Sequence, residues 1–413
     1  MEQNVGKKPN TNPNPEGIRI LEINLGYSSW YWVHRPDEPS RLRFALHQGL
    51  LLIGGKKKKC VGVDLTDRSA HDWLAGASER KRALIRTAKI GAQEDLETLE
   101  LLPNLEALEC NGLTKSELEW VCGLGMPLKC LYLSWCPDLS HISPVSQFPD
   151  LLQLSLSDFH NLADLGALKE LTDLERLDII NCDDLWDIDP IANAKKLRRL
   201  VIRNCENVHR LNAVAMLSQV RQMDLSRSTH VKDLAPLRKL KVLAALDLSN
   251  CMRVRDVSPL QNLRSLRILR LFGCSSLRDL RPLYQLPQLK KLSLPNNITD
   301  GDFLGLCIGF DGLVQMDLRN CDSVTTIEPI SRLVKLEDLS LAGCRRITNI
   351  RPLSALKNLV HLDLACCTRI TDLTPLYDLE NLKDLYIDGC TGLEQDDIDA
   401  FEEAMPDCEV HDS

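Results

Sequence analysis

The sequence is poor in aromatic residues and has no long apolar segment, and these absences exclude several classes of protein. Phe, Trp and Tyr make up 5% of the 413 residues. No stretch of about 18 apolar residues is present, so no membrane-spanning helix is predicted. Residues 1–17 are rich in Asn, Pro and Lys, and we expect no secretory signal peptide there. Because the net charge is −8, we expect no general affinity for nucleic acid or for anionic membranes.

Motifs for catalytic and cofactor chemistry are also missing. Residues 18–100 have no Gly-x-Gly-x-x-Gly, no phosphate-binding loop, no His-Glu-x-x-His and no paired zinc ligands. The nine His residues are scattered, and no Ser or Cys has an identifiable base partner. The nearest candidate pair is Cys366 with His361, for which we predict no catalysis. The sequence therefore predicts a protein that is not an enzyme and that binds no cofactor or metal.

What the sequence does contain is a repeat with a period of about 23 residues. Each copy begins with Leu-x-x-Leu-x-Leu, as in Leu243–Leu248 and again in Leu266–Leu271. The leading aliphatic positions are Leu105, Leu128, Leu151, Leu174, Leu197, Val220, Leu243, Leu266, Leu289, Leu313, Leu336, Leu359 and Leu382. One extra residue separates Leu289 from Leu313. The second half of many copies reads Asp-aliphatic-x-Pro-Leu, as from Asp256 to Leu260.

These motifs resemble the leucine-rich-repeat superfamily over Leu105 to Leu393. The Asp-aliphatic-x-Pro-Leu half is similar to the internalin-like class of bacterial repeats, and a Cys in place of the usual Asn is similar to the cysteine-containing class. The resemblance implies an α/β solenoid, curved like a horseshoe, with a parallel sheet on its concave face and short 3₁₀ or irregular turns on its convex side. It also implies that the concave face recognises a protein.

Nine of the sixteen Cys occupy one position of the repeat. They are Cys136, Cys182, Cys205, Cys251, Cys274, Cys321, Cys344, Cys367 and Cys390. A disulfide framework would need a small, loop-rich chain in an oxidising compartment, and a metal site would need converging ligand pairs. The favoured interpretation is a buried thiol that fills a tight turn and donates weakly to backbone carbonyls. This interpretation predicts a reducing compartment, so we expect a cytoplasmic protein.

The remaining segments flank the repeats. We predict a disordered tail at 1–17, a small α/β capping region at 18–100, thirteen repeats at 101–394, and a C-terminal capping helix and tail at 395–413. Within the capping region we predict strands at Ile18–Leu25 and Cys60–Leu65 and a helix from a Ser69 cap to about Ile90. The aromatic cluster Tyr27–Pro36 is either a ligand-binding loop or packing within its own domain.

Two repeats depart from the Pro-Leu pattern. The segments after Leu113 and after Ile298 begin with Thr114 and Thr299, each followed by an acidic residue three positions later. This spacing is typical of a capped α-helix. We therefore predict a true helix on the convex side at both places, with a local change of curvature near residue 300.

The candidate binding surface is formed by the outward positions of each repeat, which are two, four, six and seven after the leading residue. The predicted partner-binding residues are Tyr132, Trp135, Arg176, Arg199, Arg203, Arg227, Arg270, Phe272, Lys291, Asp317, Asp338, His361, Asp363, Asp384, Tyr386 and Asp388. The first half of this surface is mainly basic and the second mainly acidic, and the two halves are too far apart to neutralise each other. A competing interpretation is a wet polar face whose neighbouring Asp and Arg pair.

Three functions remain open at this point. The leading hypothesis is a non-enzymatic, monomeric scaffold that binds a partner protein on the concave face. The second is an enzyme or signalling protein whose N-terminal region acts while the repeats choose the target. The third is a secreted bacterial effector that recognises a host protein and carries an uncleaved export signal in residues 1–17.

Overall fold

The computed structural model describes the backbone over residues 19–25, 28–34, 44–47, 50–53, 59–66, 68–91 and 93–412. Side chains are described from residue 62 onward, except 67–69, 92–95 and 413. The predicted tail at 1–17 therefore lies outside the described residues, as do the side chains of the aromatic cluster Tyr27–Pro36. No helix in this described part is both long and apolar enough to cross a bilayer.

One short β-strand per repeat builds a large sheet. The strands are β1 Arg19–Leu25, β2 Ser28–His34, β3 Phe44–His47, β4 Leu50–Ile53, β5 Lys59–Asp64, β6 Thr87–Ile90, β7 Ala107–Asn111, β8 Cys130–Ser134, β9 Gln153–Ser157, β10 Arg176–Ile180, β11 Arg199–Arg203, β12 Gln222–Asp224, β13 Ala245–Asp247, β14 Ile268–Arg270, β15 Lys291–Ser293, β16 Gln315–Asp317, β17 Asp338–Ser340, β18 His361–Asp363, β19 Asp384–Tyr386 and β20 Glu409–His411. Strands β1 and β2 pair with each other, and β3, β4 and β5 pair antiparallel. From β5 to β20, 16 parallel strands form one open sheet.

Short 3₁₀ helices return the chain from one strand to the next. They are Gln93–Leu101, Ser143–Gln147, Gly166–Lys169, Asp189–Asn193, Asn212–Met216, Ala235–Lys239, Ser258–Leu260, Arg281–Gln285, Glu328–Arg332, Arg351–Ala355 and Thr374–Leu376. Many carry Pro at the first or second helical position, where its fixed φ suits helix entry and its missing N–H is not needed. The predicted solenoid with a parallel sheet and 3₁₀ turns is confirmed.

Five α-helices complete the described structure. They are α1 Arg68–Gly76, α2 Glu79–Arg82, α3 Lys115–Gly123, α4 Asp300–Gly309 and α5 Gln395–Ala404. The two helices predicted on the convex side are confirmed as α3 and α4. Each begins with a complete capping box, formed by Thr114 with Glu117 and by Thr299 with Asp302. These reciprocal hydrogen bonds satisfy backbone N–H groups that the first helical turn leaves without partners.

The core runs between the sheet and the 3₁₀ helices along the whole array. In the repeat that begins at Leu243, the aliphatic and thiol side chains are at most 1% exposed: Leu243, Leu246, Leu248, Cys251, Val254, Val257, Leu260 and Leu263. Each large aliphatic contributes about 1.5–3 kcal/mol when fully buried. A single repeat cannot bury both of its sides, so this stabilisation depends on its neighbours.

The structure corrects the sequence analysis at both ends of the sheet. The single helix predicted from Ser69 to about Ile90 is wrong, because Ser78 is extended between α1 and α2, and Thr87–Ile90 is strand β6. Ala88 and Ile90 are buried and pair with Leu108 and Cys110 of β7, so this segment continues the sheet. At the other end, Glu409–His411 is not a free tail but strand β20, which pairs in parallel with β19.

Candidate binding surface on the concave face

The predicted binding residues lie on or directly beside the concave sheet. Twelve of them belong to strands, and Trp135, Arg227, Phe272 and Asp388 follow the ends of strands. All sixteen side chains are exposed or half-buried, so none contributes to the core. This placement follows from strand geometry, because the leucines of the repeat head point inward and the alternate residues point outward.

Position seven of the repeat adopts a left-handed backbone rather than a strand. In twelve of the thirteen repeats the residue at this position has a φ between 53° and 79°. We call this set the position-seven row; it comprises Gly112, Trp135, Asp158, Asn181, Asn204, Arg227, Asn250, Gly273, Asn320, Gly343, Cys366 and Gly389. Gly, Asn and Asp tolerate this conformation, but for other residues it costs about 1–2 kcal/mol. Trp135, Arg227 and Cys366 are therefore departures that the fold does not favour.

Hydrogen bonds between side chains link part of the position-seven row. The Asn181 Nδ2 donates to Asp158 Oδ1 at 2.6 Å, and the Asn204 Nδ2 donates to Asn181 Oδ1 at 2.9 Å. Arg227 comes next in the row and interrupts this series. Its backbone N–H still donates to the Ser249 carbonyl at 2.8 Å, which keeps the regular turn. Its side chain is exposed and makes no ion pair with the residues whose side chains are described.

Three of the six residues of the predicted basic stretch are paired with carboxylates of adjacent strands. These pairs are Arg199–Asp178 at 3.3 Å, Arg203–Asp224, and Arg270–Asp247 at 3.4 Å. In the acidic half, Arg319 pairs with Asp317 at 2.8 Å. The pairing of adjacent Asp and Arg, raised as the competing interpretation, therefore accounts for these charges.

Burial and hydrogen bonding have opposite effects on the carboxylates of this face. Asp178 is only 4% exposed, and burial raises the pKa of its carboxyl against the attraction of Arg199. Burial alone would also raise the pKa of Asp224, but hydrogen bonds from Ser226 and Arg203 outweigh it, and the pKa falls below its usual value. Burial raises the pKa of Asp338, although His361 beside it acts in the opposite direction.

The aromatic residues of the surface differ in their contacts and in their exposure to solvent. The Tyr132 hydroxyl donates to Gln153 Oε1 at 3.1 Å. The guanidinium of Arg319 lies 5.7 Å from the ring centroid of Phe272, within the range of a cation–π contact. Trp135 is 59% exposed, and its ring lies edge-to-face with that of His160, with ring centroids 6.4 Å apart. Of these three, Trp135 is the one left most open to solvent.

The acidic end of the surface contains a cluster that the sequence analysis missed. His361 Nδ1 lies 2.6 Å from Asp384 Oδ2, and His411 Nε2 lies 3.8 Å from Asp384 Oδ1. The ring of Tyr386 stacks on His411 at 4.3 Å with an interplanar angle of 10°. A carboxylate oxygen of Glu409 lies within 4.8 Å of side-chain atoms of Asp384 and His411, so the three residues could hold one metal ion. Glu409 and His411 were missed because they lie in β20, beyond the last recognisable repeat.

The cysteine ladder behaves as the sequence predicted. All nine ladder thiols are buried and free. In eight of them the thiol lies close to the carbonyl of the preceding repeat, as for Cys274 with Leu248 at 3.0 Å and Cys344 with Leu318 at 3.1 Å. Ser228 replaces Cys in one repeat and donates in the same way to Ile202 at 2.9 Å. Burial raises the pKa of Cys274 and Cys344 to about 12.

The pair of Cys366 with His361, for which the sequence predicts no catalysis, is not joined by any contact that would mark a nucleophile and its base. His361 is instead engaged with Asp384. Cys366 is exposed and has a left-handed backbone, with φ of 59°. Among the cysteines with described side chains, it is the exposed one.

Part of the sequence matches a known family. Residues 165–236 match the family described as Zer-1-like, leucine-rich repeats. The parallel sheet with 3₁₀ turns is the architecture of leucine-rich-repeat solenoids. Over residues 165–236 the chain is similar to leucine-rich-repeat proteins. Leucine-rich repeats generally form scaffolds for protein–protein interaction, and the proteins that carry them are typically not enzymes.

Several solved leucine-rich-repeat structures are similar to this chain at low identity. The internalin InlF of Listeria monocytogenes is 20% identical, with a TM-score of 0.46 over 77% of this chain and 84% of that chain. A leucine-rich-repeat protein of Leptospira interrogans is 17% identical, with a TM-score of 0.47 over 80% and 91%. The functional domain of InlJ of Listeria monocytogenes, described as including a cysteine ladder, is 17% identical, with a TM-score of 0.42 over 75% and 69%. No curated protein matches the sequence.

Proposed function

We propose that this leucine-rich-repeat protein is a non-enzymatic, monomeric scaffold that binds a partner protein on the concave sheet and the adjoining position-seven row. The observation that carries the proposal is Trp135. Its indole is 59% exposed on a left-handed backbone with φ of 53°. Neither feature favours the folded state, because the exposed part of the ring gains no burial and the backbone conformation costs about 1–2 kcal/mol.

The comparison with the other repeats strengthens this argument. At position seven, nine of the twelve left-handed residues are Gly, Asn or Asp, which the conformation suits. A large aromatic and an Arg at the same position are the residue types that dominate the energetics of protein interfaces. Trp135 and Arg227 are four strands apart, or about 19 Å at the usual strand spacing. One protein interface of standard size spans that distance.

The electrostatics of the face support a partner that is recognised by shape and a few anchors. Arg199, Arg203 and Arg270 are already paired with carboxylates of adjacent strands. Arg227 is exposed and lacks such a pair among the described side chains, so it is free to meet an acidic group. Charges of this kind mainly set the association rate and the orientation of the complex.

The test compares matched substitutions on and off the proposed surface. Trp135→Asn is paired with Trp186→Asn, because Trp186 is 55% exposed outside the concave strands. Arg227→Glu is paired with Arg238→Glu, since Arg238 is exposed on the 3₁₀ helix Ala235–Lys239 of the same repeat. The immobilised full chain captures a partner, which is identified by mass spectrometry. Its affinity is then measured for each variant.

We expect Trp135→Asn and Arg227→Glu to weaken binding, and Trp186→Asn and Arg238→Glu to leave it unchanged. All four positions lie outside the core, so the variants should fold like the parent. Phe272→Ala, at the centre of the sheet, should also weaken binding. If the two control variants lose the partner while Trp135→Asn and Arg227→Glu keep it, the partner uses another surface and the proposal fails.

We also propose that the protein works in a reducing compartment such as the cytoplasm. The support comes from the cysteine ladder, whose nine thiols are free and buried. Mass spectrometry of protein alkylated in freshly opened cells tests this proposal. Disulfides between ladder cysteines would contradict it.

A further inference from the structure

The last two strands bring three potential metal ligands together. Asp384 on β19 pairs in register with Glu409 on β20, and His411 follows Glu409 by two residues. In-register neighbours of a sheet share a face, and alternate residues of a strand point to the same side, so all three side chains lie on the concave face. One ligand atom from each residue lies within 4.8 Å of the other two.

The imidazole of His411 has a nitrogen that lacks a hydrogen bond. Its Nε2 is buried and makes no hydrogen bond to a described group. The nearest carboxylate oxygen, Asp384 Oδ1, is 3.8 Å away, which is too long for a hydrogen bond. Buried polar groups nearly always have a partner. In a tetrahedral zinc site, ligand atoms at the usual bond lengths are about 3.3 Å apart, so movements of about 1 Å would bring these groups to an ion.

Two neighbours hold the cluster in position. His361 Nδ1 contacts the other oxygen of Asp384 at 2.6 Å, which leaves Oδ1 directed towards His411. Tyr386 stacks on the His411 ring at 4.3 Å and fixes its plane. Contacts of this kind orient metal ligands in proteins and account for a large part of their affinity.

We propose that Asp384, Glu409 and His411 form a binding site for a divalent transition-metal ion, best matched by Zn²⁺, with His361 as a positioning residue. An imidazole with two carboxylates suits Zn²⁺, whereas Mg²⁺ and Ca²⁺ favour oxygen ligands alone. Three protein ligands leave one coordination position open towards the concave surface. Because β20 has only three residues, a bound ion also fastens this edge strand to β19.

The experiment uses the full chain, stripped of metal with a chelator and carrying Cys366→Ser to remove the exposed described thiol. Binding of Zn²⁺ is measured by isothermal titration calorimetry, and the absorption spectrum is recorded with Co²⁺ as a spectroscopic probe. Glu409→Gln removes one ligand charge at an exposed position. His411→Phe removes the ligand nitrogen but keeps a ring for Tyr386 to stack on. Glu403→Gln, on the exposed side of α5, is the matched control.

We expect one equivalent of Zn²⁺ to bind, with visible Co²⁺ bands and no thiolate charge-transfer band in the near ultraviolet. Loss of a residue that only orients a metal ligand typically weakens metal binding ~10–100-fold, and we expect a loss of this size for His361→Ala. Glu409→Gln and His411→Phe each remove a ligand and should weaken binding by more than that. Glu403→Gln should bind as the parent does. The proposal is overturned if no saturable site is found, if both ligand variants bind as tightly as the parent, or if the Co²⁺ spectrum shows thiolate ligation.

Discussion

Arg227 offers a direct test of what the position-seven row contributes to stability. We predict that Arg227→Asn stabilises the protein by about 1–2 kcal/mol. Arg227 has φ of 61° and an exposed side chain, and relief of the left-handed strain contributes about 1 kcal/mol of this gain. Asn204 precedes Arg227 in the row and already donates to Asn181. An amide at 227 can extend this series with a further hydrogen bond that contributes about 0.5–1.5 kcal/mol.

The free energy of unfolding is measured by urea titration, followed by both circular dichroism and tryptophan fluorescence. Two probes are needed because long repeat arrays can unfold in more than one step. The reciprocal variant Asn204→Arg is the control, and it should lose about 1–2 kcal/mol because it adds the strain and removes the bond to Asn181. If Arg227→Asn is no more stable than the parent, Arg227 makes favourable contacts and its backbone strain is not evidence of a binding role.

Three further predictions concern the described side chains. In native protein, rapid thiol labelling should fall by one equivalent in Cys366→Ser, because the other described cysteines are buried; labelling of the ladder thiols without unfolding would contradict this. Ser228→Ala should cost about 1–3 kcal/mol of stability because the Ile202 carbonyl loses its donor, whereas Ser228→Cys should be nearly neutral. If a denaturant titration shows the same loss of stability in both variants, a Cys does not replace the Ser at this position. Since the folded-state pKa of Asp224 is lowered, its ion pair with Arg203 should stabilise the protein above the unfolded pKa of about 3.9 and lose this effect as the pH falls below it. The free energy of unfolding of Asp224→Asn, measured at decreasing pH, should therefore fall less than that of the parent. The same pH dependence in both proteins would contradict this role of the ion pair.

The parts of the fold that the sequence predicted are those set by local spacing. The heads of the repeats place leucines such as Leu246 and Leu269 in register on adjacent strands. The helices α3 and α4 were predictable because Thr114 and Thr299 each cap with an acidic residue three positions later. The buried thiol positions followed from their period and from the absence of paired ligands. All of these signals act within one repeat or between neighbouring copies.

The parts that were missed depend on pairing across irregular intervals. Strand β6 has Ala88 and Ile90 inside. Its segment lacks the leucines of a repeat head, and the charged run Glu79–Arg82 before it suits a helix. In β20, Val410 pairs with Leu385 at a separation that differs from the 23-residue period. The ion pairs of the concave face depend on side-chain rotamers, so Arg203 could not be assigned to Asp224 from sequence alone.

Repeat proteins allow one copy to serve as the reference for another, and this makes departures at a single position informative. Position seven has the same left-handed backbone in almost every repeat. Gly and Asn adopt this conformation at the least cost in free energy. A residue that strains this backbone, such as Trp or Arg, is a candidate for a role other than folding. At Trp135 and Arg227 the side chains are exposed, which supports the proposal that a bound partner supplies the compensating interaction. Arg227 also stands beside Ser228, the one ladder position that keeps the carbonyl hydrogen bond with oxygen instead of sulfur. The repeat that begins at Val220 therefore differs from its neighbours at two adjacent positions. We expect a cross-linker attached at this repeat, on the edge of the concave face, to capture the proposed partner more readily than one attached at the other repeats.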